Sequence, residues 1–296
     1  MSVGLVFAST GGPKIARAIR SLRVAEPDVP IYVVLDVSSK TYEGTKDNPS
    51  ISWLESLRRV TVRPVQNKAY INGCLNEAMR WMRGLGYDYA CLFHDDVIFS
   101  PLSQGHVTEW FTRLETEPEL QEPSALTLSL MQAFVPKVWR RPPAEWDVMD
   151  LESISFWEKL LPNGKPAGFL EQQPDNSAAF EVQFPDFYVQ YHVARSLQST
   201  TRLGPTGQIV SIDRWAKVGG FDETLGIFYD MQYPAECAAR GWPPVKMVPN
   251  IPHLHLHNQS IGYEDLAFAH WTDCLGAFET KFGDYETFWN SKEGWR

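Results

Sequence analysis

The chain has 296 residues, 44% of them hydrophobic and 21% charged, and 27 basic against 36 acidic side chains give a formal net charge of −9. That length admits one large or two ordinary domains with a substantial core, and a charged fraction near the globular norm of about 25% excludes wholesale disorder. The acidic balance argues against a general nucleic-acid binder, whose electrostatic footprint is basic. The charge is uneven, +5 over residues 1–83 and −14 over the remaining 213. An anionic ligand would favour the N-terminal part, although two ordinarily solvated faces would give the same asymmetry. Cys74, Cys91, Cys237 and Cys274 lie far apart without a CxxC pair, a pattern of free thiols in a reducing compartment. The opening MSVGLVFASTGGPK lacks a basic n-region and a long apolar run, so no signal peptide is expected. No stretch approaches the roughly 20 apolar residues of a membrane span. The expected location is cytoplasmic or peripheral at a membrane surface.

In chain order, Val3–Ala8 reads as a strand, followed by the turn STGGP, with Pro13 suited to open a helix. Residues 14–24 put Ile15, Ala18, Ile19 and Leu22 on one helical face and Lys14, Arg17, Arg20 and Arg23 on another. Ile31–Leu35 is a β-branched strand ending at Asp36; a helix over 51–59 and a strand over 60–65 follow. Residues 71–85 form the clearest helix, with Ile71, Cys74, Leu75, Ala78, Met79, Met82 and Leu85 on one stripe. Tyr89–Phe93 is a strand that runs into His94-Asp95-Asp96. This alternation predicts a mostly parallel sheet covered by helices.

The middle is rich in proline and polar residues at 117–124, 136–146 and 162–186, which predicts loops around a helix near 151–161. Regular structure resumes with a strand at Gln208–Asp213, helices at 214–218 and 234–240, a strand at 245–249 and a last helix at 265–282.

Three clusters could carry chemistry. His94-Asp95-Asp96 ends a buried strand, where open α/β sheets bind ligands. Adjacent carboxylates there require a cation or a basic group, and oxygen-rich sites suit Mg²⁺ or Mn²⁺. His253-Leu254-His255-Leu256-His257 puts three imidazoles on one face of a strand, a set that could ligate a transition metal or form a zinc site by itself. GGFDE at 219–223 precedes Asp230, which suits either a helix cap or a general base.

The order of these motifs resembles that of family 2-type nucleotide-sugar glycosyltransferases with the GT-A fold. GLVFASTGG matches the opening strand and polar turn, VVLDVSS with Asp36 the second strand, and Asn76-Glu77-Ala78 an Asn-x-Gly-like helix step. HDD stands at the D-x-D-type motif, GGFDE matches letter for letter, and Tyr229-Asp230-Met231-Gln232 stands at the E-D-x-D-like helix start. Gly241-Trp242 and Val248-Pro249 then lead to His255 at the position of a metal-binding histidine. The chain departs from the family pattern at His94, which replaces the first carboxylate of D-x-D, and at Tyr229 and Gln232, which leave Asp230 as the one acid.

The resemblance implies a Rossmann-like, mostly parallel α/β sheet with helices on both faces and an inserted acceptor-side region. Residues 1–296 would form a single domain: a nucleotide-binding part over 1–100, a loop-rich acceptor-side insertion over 101–205, and a catalytic and metal-binding part over 206–296. It implies transfer, with inversion, of a sugar from a UDP-type nucleotide-diphosphate donor to a glycan or other hydroxyl acceptor. Ala8, Thr10, Asp36, Asp95, Asp96 and Gly220 would meet the donor, and Asp230 would be the general base. Mn²⁺ or Mg²⁺ would sit on Asp96 and His255, with His257 and His94 as reserve ligands. Trp139, Tyr188 and Tyr191 are the aromatic candidates for the acceptor, although rings are also ordinary core material. Two other readings stay open: a metallohydrolase built on His253, His255 and His257, and a non-catalytic nucleotide- or sugar-binding module.

Overall fold

The computed structural model describes residues 1–37, 51–66, 70–134, 151–162, 177–183, 188–194, 196–200, 203–204, 206–249, 253–256 and 265–284. At its centre Val3–Ser9 (β1), Ile31–Asp36 (β2), Val60–Val65 (β3) and Tyr89–His94 (β4) run parallel in the order β3-β2-β1-β4. Strand alternation sorts their side chains into two apolar layers. Leu5, Phe7, Val33 and Phe93 enter one, and Val6, Ala8, Val34 and Leu92 enter the other. Helix α1 (Pro13–Ala25) closes the first layer with Ile15, Ile19 and Leu22, joined by Leu54 of α2 (Ile51–Ser56). Helix α3 (Tyr70–Gly84) closes the second with Cys74, Leu75, Ala78, Met79 and Met82. Leu85, expected on that stripe, lies past the helix end and is 49% exposed. All four cysteines are free and buried.

Four further strands complete an eight-stranded, mostly parallel sheet. Gln208–Ser211 (β11) pairs antiparallel with β4, then come Ala125–Leu128 (β6), Val245–Val248 (β12) and Gln198–Thr200 (β10). A second sheet has the order β5-β13-β7-β9-β8, built from Val97–Phe99, His253–Leu256, Leu130–Phe134, Tyr188–Ala194 and Ser177–Gln183. The loop expected over 162–186 is thus corrected at 177–183, where the alternating segment SAAFEVQ pairs antiparallel with β9. Three strands of the first sheet lead directly into the second: β4 into β5, β6 into β7 and β12 into β13.

Helix α4 (His106–Thr116) has Gly105 at its N-cap and no side-chain cap of its own. The buried carboxylate of Glu26 supplies one from α1, accepting from the Val107 N–H at 2.7 Å and from the Thr108 hydroxyl. Helix α5 (Ile154–Leu160) falls where the sequence predicts it, and α6 (Ile212–Val218), α7 (Tyr229–Ala239) and α8 (Asp265–Phe282) complete the set. Among the described residues no helix is long and apolar enough to cross a membrane.

GGFDE is held from α3. Asn76 donates to the Phe221 carbonyl at 2.8 Å and to Glu223 at 2.9 Å, and accepts from the Phe221 N–H at 2.9 Å and the Trp215 indole at 3.1 Å. One turn earlier, Asn72 donates to the Asp222 carbonyl at 2.7 Å. Gly220, at φ 92°, leaves 3.0 Å between the position of a Cβ and the Asn76 amide oxygen, so the turn needs both the open φ and the missing side chain. Asp222 caps the following 3₁₀ turn, accepting from Thr224, and pairs with Lys281 of α8 at 3.0 Å. Lys281 also reaches Glu236 of α7 at 3.1 Å, while Phe278 and Cys274 pack on Leu225, Phe228 and Met231.

Asn76→Ala leaves the Trp215 indole and the Phe221 peptide without buried partners. It should lower unfolding stability by about 2–4 kcal/mol, read as a lower midpoint with unchanged slope in urea denaturation. A second outcome follows from Lys281. Burial alone would raise the Asp222 and Glu236 pKa values, but hydrogen bonds from Thr224 and Arg240 and the Lys281 charge bring both below the ordinary range. Carboxyls depressed in the folded state stabilise it above the unfolded pKa, near 4, and lose that contribution as pH falls. Lys281→Met should therefore lower Tm by about 1–3 °C at pH 7, and the gap to the parent should narrow as thermal melts approach pH 3.5.

Candidate metal and donor site

The chain steps outward from β1 to β2 and β3, then returns to place β4 on the other side of β1. Such a switch opens a crevice at the carboxyl ends of the two strands. Ser9 and Thr10 border it from β1, and His94-Asp95-Asp96 from β4. Asp95 ties the two ends together: its carboxylate accepts from the Ser9 hydroxyl at 2.7 Å and from the Thr10 N–H at 3.2 Å. The Ser9 oxygen in turn accepts from the Gly11 N–H at 2.9 Å. Burial pushes the Asp95 carboxyl upward, opposed mainly by the Lys14 charge. Lys14 is the member of the predicted basic stripe whose charge reaches both aspartates. Arg23 instead binds the backbone carbonyls of Glu26, Val29 and Arg58.

Asp96 faces the second sheet. Its carboxylate lies 3.3 Å from His255 Nε2, and its carbonyl accepts the Leu256 N–H at 2.8 Å. His255 sits opposite Val97 in the antiparallel β5–β13 register. Burial would raise the Asp96 carboxyl, but the neighbouring His255 above all outweighs it and holds the group well below the usual range. Burial also pushes the His94 imidazole down to about 4, so it is neutral at physiological pH. His94, Asp96 and His255 each bring a ligand atom within 4.8 Å of the others. One ionised carboxylate with a neutral imidazole at His94 fits a divalent transition ion, and Mn²⁺ accepts such mixed oxygen and nitrogen ligands.

Around His94, the backbone N–H donates to Thr206 at 3.2 Å, and Nε2 meets the Tyr229 hydroxyl at 3.0 Å. Gln208 of β11 donates to the same hydroxyl at 2.8 Å and to the Gly204 carbonyl. Tyr229 opens α7, and Asp230 follows it, 8% exposed. The sequence reading starts this helix at Pro234; the structure corrects it to Tyr229, with the proline inside. Pro234 has no N–H for the carbonyl of Asp230, and the Leu203 N–H takes that carbonyl at 2.9 Å.

The structure therefore gathers His94, Asp96 and His255, with Asp95 alongside. Asp36 is buried at the end of β2, Ala8 is buried near the end of β1, and Thr10 follows it at the crevice. Gly220 belongs to the turn against Asn76 and Trp215. His253 is a correction: it is fully buried, its ring 5.6 Å from Phe93 and 6.0 Å from Phe99. Strand alternation fixed its face, but those rings fill the space in front of it. The grouped partners of His255 are thus Asp96 and His94 rather than His253. His257 and Trp139 lie outside the described residues, and Tyr188 is described only through its backbone pairing with Phe134 and Gln183. Tyr191 is a second correction: it is fully buried and donates to the Leu160 carbonyl at 2.9 Å, so its ring joins the second sheet to α5. Thr206, Gln208 and the contact of Tyr229 with His94 join the site without having been among the sequence candidates. Tyr229 could have been flagged by its position beside Asp230; the other two carry no local signal.

No family model and no curated protein matches the sequence. Among solved structures, that of Staphylococcus aureus TarS 1–349 in complex with UDP-GlcNAc is similar, with 9% identity over 95% of this chain and 66% of that one, TM-score 0.50. GalNAc-T7 with UDP, GalNAc and Mn²⁺ is similar with 8% identity over 97% of this chain and 50% of that one, TM-score 0.52. The chain spans about two thirds of the first and half of the second. The likeness is one of architecture: this chain has the GT-A glycosyltransferase fold.

Proposed function

We propose that the chain is a metal-dependent glycosyltransferase that moves a sugar from a UDP-type nucleotide-diphosphate donor to an acceptor hydroxyl, with inversion, as a cytoplasmic or membrane-peripheral enzyme. The observation that carries this reading is the His94–Asp96–His255 group at the carboxyl edge of β4, on a GT-A fold. Asp96 and His255 hold a Mn²⁺ or Mg²⁺ ion, with His94 and His257 in reserve. Bound there, the ion supplies positive charge against the departing diphosphate. Support for such a donor comes from the structural neighbours, solved with UDP-GlcNAc and with UDP, GalNAc and Mn²⁺.

The chain's own residues do the rest. Asp36, Ala8 and Thr10 line the nucleotide side, and Asp95 both fixes the β1 turn and faces the ribose or donor sugar. Asp230 takes the proton of the acceptor hydroxyl as its oxygen attacks the anomeric carbon from the face opposite the diphosphate, while the bond to the diphosphate breaks. The acceptor is a glycan or related hydroxyl compound, with Trp139 and Tyr188 as the remaining aromatic candidates. The His253–His255–His257 zinc hydrolase loses its main support, because the His253 ring is packed among phenylalanines.

Calorimetry should find UDP binding at least tenfold weaker in EDTA than in Mn²⁺, with the difference lost in Asp96→Ala; full affinity in EDTA would overturn the metal's part. Asp230→Asn should cut transfer or donor hydrolysis by about 10²- to 10⁴-fold while UDP still binds. Turnover at the parent rate would remove Asp230 as the base, whereas UDP binding by a parent without transfer or donor hydrolysis would favour the binding-module reading.

A further inference from the structure

Two of the three departures from the acidic pattern touch each other: His94 and Tyr229 meet at 3.0 Å. We propose that Tyr229 withholds His94 from the metal, leaving Asp96 and His255 as the ligands this chain offers from the group. This rests on the metal reading above. The Gly204 carbonyl orients the Gln208 amide, since the NH₂ and not the amide oxygen can serve it. The same nitrogen donates its other hydrogen into the Tyr229 oxygen at 2.8 Å. The tyrosine's O–H then points to His94 Nε2, which accepts. A neutral imidazole that accepts at Nε2 carries its proton at Nδ1 and has no second lone pair for an ion. Tyr229 is held in this role by burial and by the Phe221 ring at 5.6 Å. Ligation by His94 must therefore break the tyrosine's hydrogen bond, or move the imidazole proton and turn the hydroxyl away.

Removing this polar group from the site should strengthen metal binding. Mn²⁺ affinity, measured from the EPR signal of free Mn²⁺, should tighten at least about threefold in Tyr229→Phe, the worth of one neutral hydrogen bond. The gain should vanish in Tyr229→Phe/His94→Ala. Gln208→Met, which frees the tyrosine oxygen to accept from His94, should tighten binding in the same direction and serves if Tyr229→Phe does not fold. Nitrogen-15 NMR of the metal-free parent should find the His94 proton on Nδ1. Unchanged or weaker Mn²⁺ binding in the folded variants, or a proton on Nε2, overturns the proposal. When the parent binds Mn²⁺ and Asp96→Ala does not, that failure belongs to the tyrosine alone. No Mn²⁺ binding by any of the proteins overturns the metal reading as well.

Discussion

An ionised carboxylate in a protein interior has to be compensated, because an unpaired buried charge costs several kcal/mol. Asp96 meets that demand with residues from both sheets. Its backbone follows β4 of the first sheet, its side chain lies against His255 of β13 in the second, and its carbonyl takes the Leu256 N–H. The seam between the sheets and the chemical group at the crevice therefore answer one constraint. Three strands lead across that seam, β4 into β5, β6 into β7 and β12 into β13. Ser129 secures the second crossing to the third by donating its hydroxyl to the Val248 carbonyl at 2.7 Å.

Asp230 depends on a different support. Its helix starts where the GGFDE loop delivers the chain, and that loop is set by Asn72 and Asn76 from α3. Phe221 carries the setting onward, since its ring packs at 5.6 Å from Tyr229 and 5.7 Å from Tyr233. The letter-for-letter motif is thus architectural in this chain, with a glycine that clears the Asn76 amide and an aspartate that caps a turn. Its reach toward the His94 edge runs through Tyr229, whose hydroxyl lies 3.0 Å from His94 Nε2.

How much of this could be read in advance depended on whether a feature is local. The stripe over α3 and the strand leading to HDD are written in nearest neighbours, and both were legible. The pairing of Asp96 with His255 was legible only through motif order, because 159 positions separate the residues. Alternation put His253 and His255 on one face, yet nothing nearby says that Phe93 and Phe99 stand before the first and Asp96 before the second. Pro234 read as a helix start because proline suits a first turn. The Leu203 N–H that makes it tolerable inside α7 lies on a distant segment. Strands β8 and β9 were hidden because mixed polar and apolar residues beside prolines resemble loop composition until a pairing partner is known.

The acids missing from this site follow the same electrostatic limit that places the ones present. Asp95 and Asp96 are both buried here, and Lys14 is the lysine whose charge acts on them. A carboxylate at position 94 or 229 would add like charge to that group and raise the cost of ionising it without an ion. A histidine and a tyrosine remove two negative charges and satisfy one another by a hydrogen bond instead. The site is then built from neutral contacts around Asp96, with the His255 imidazole 3.3 Å from its carboxylate, and a carboxylate and an imidazole are left to receive a cation.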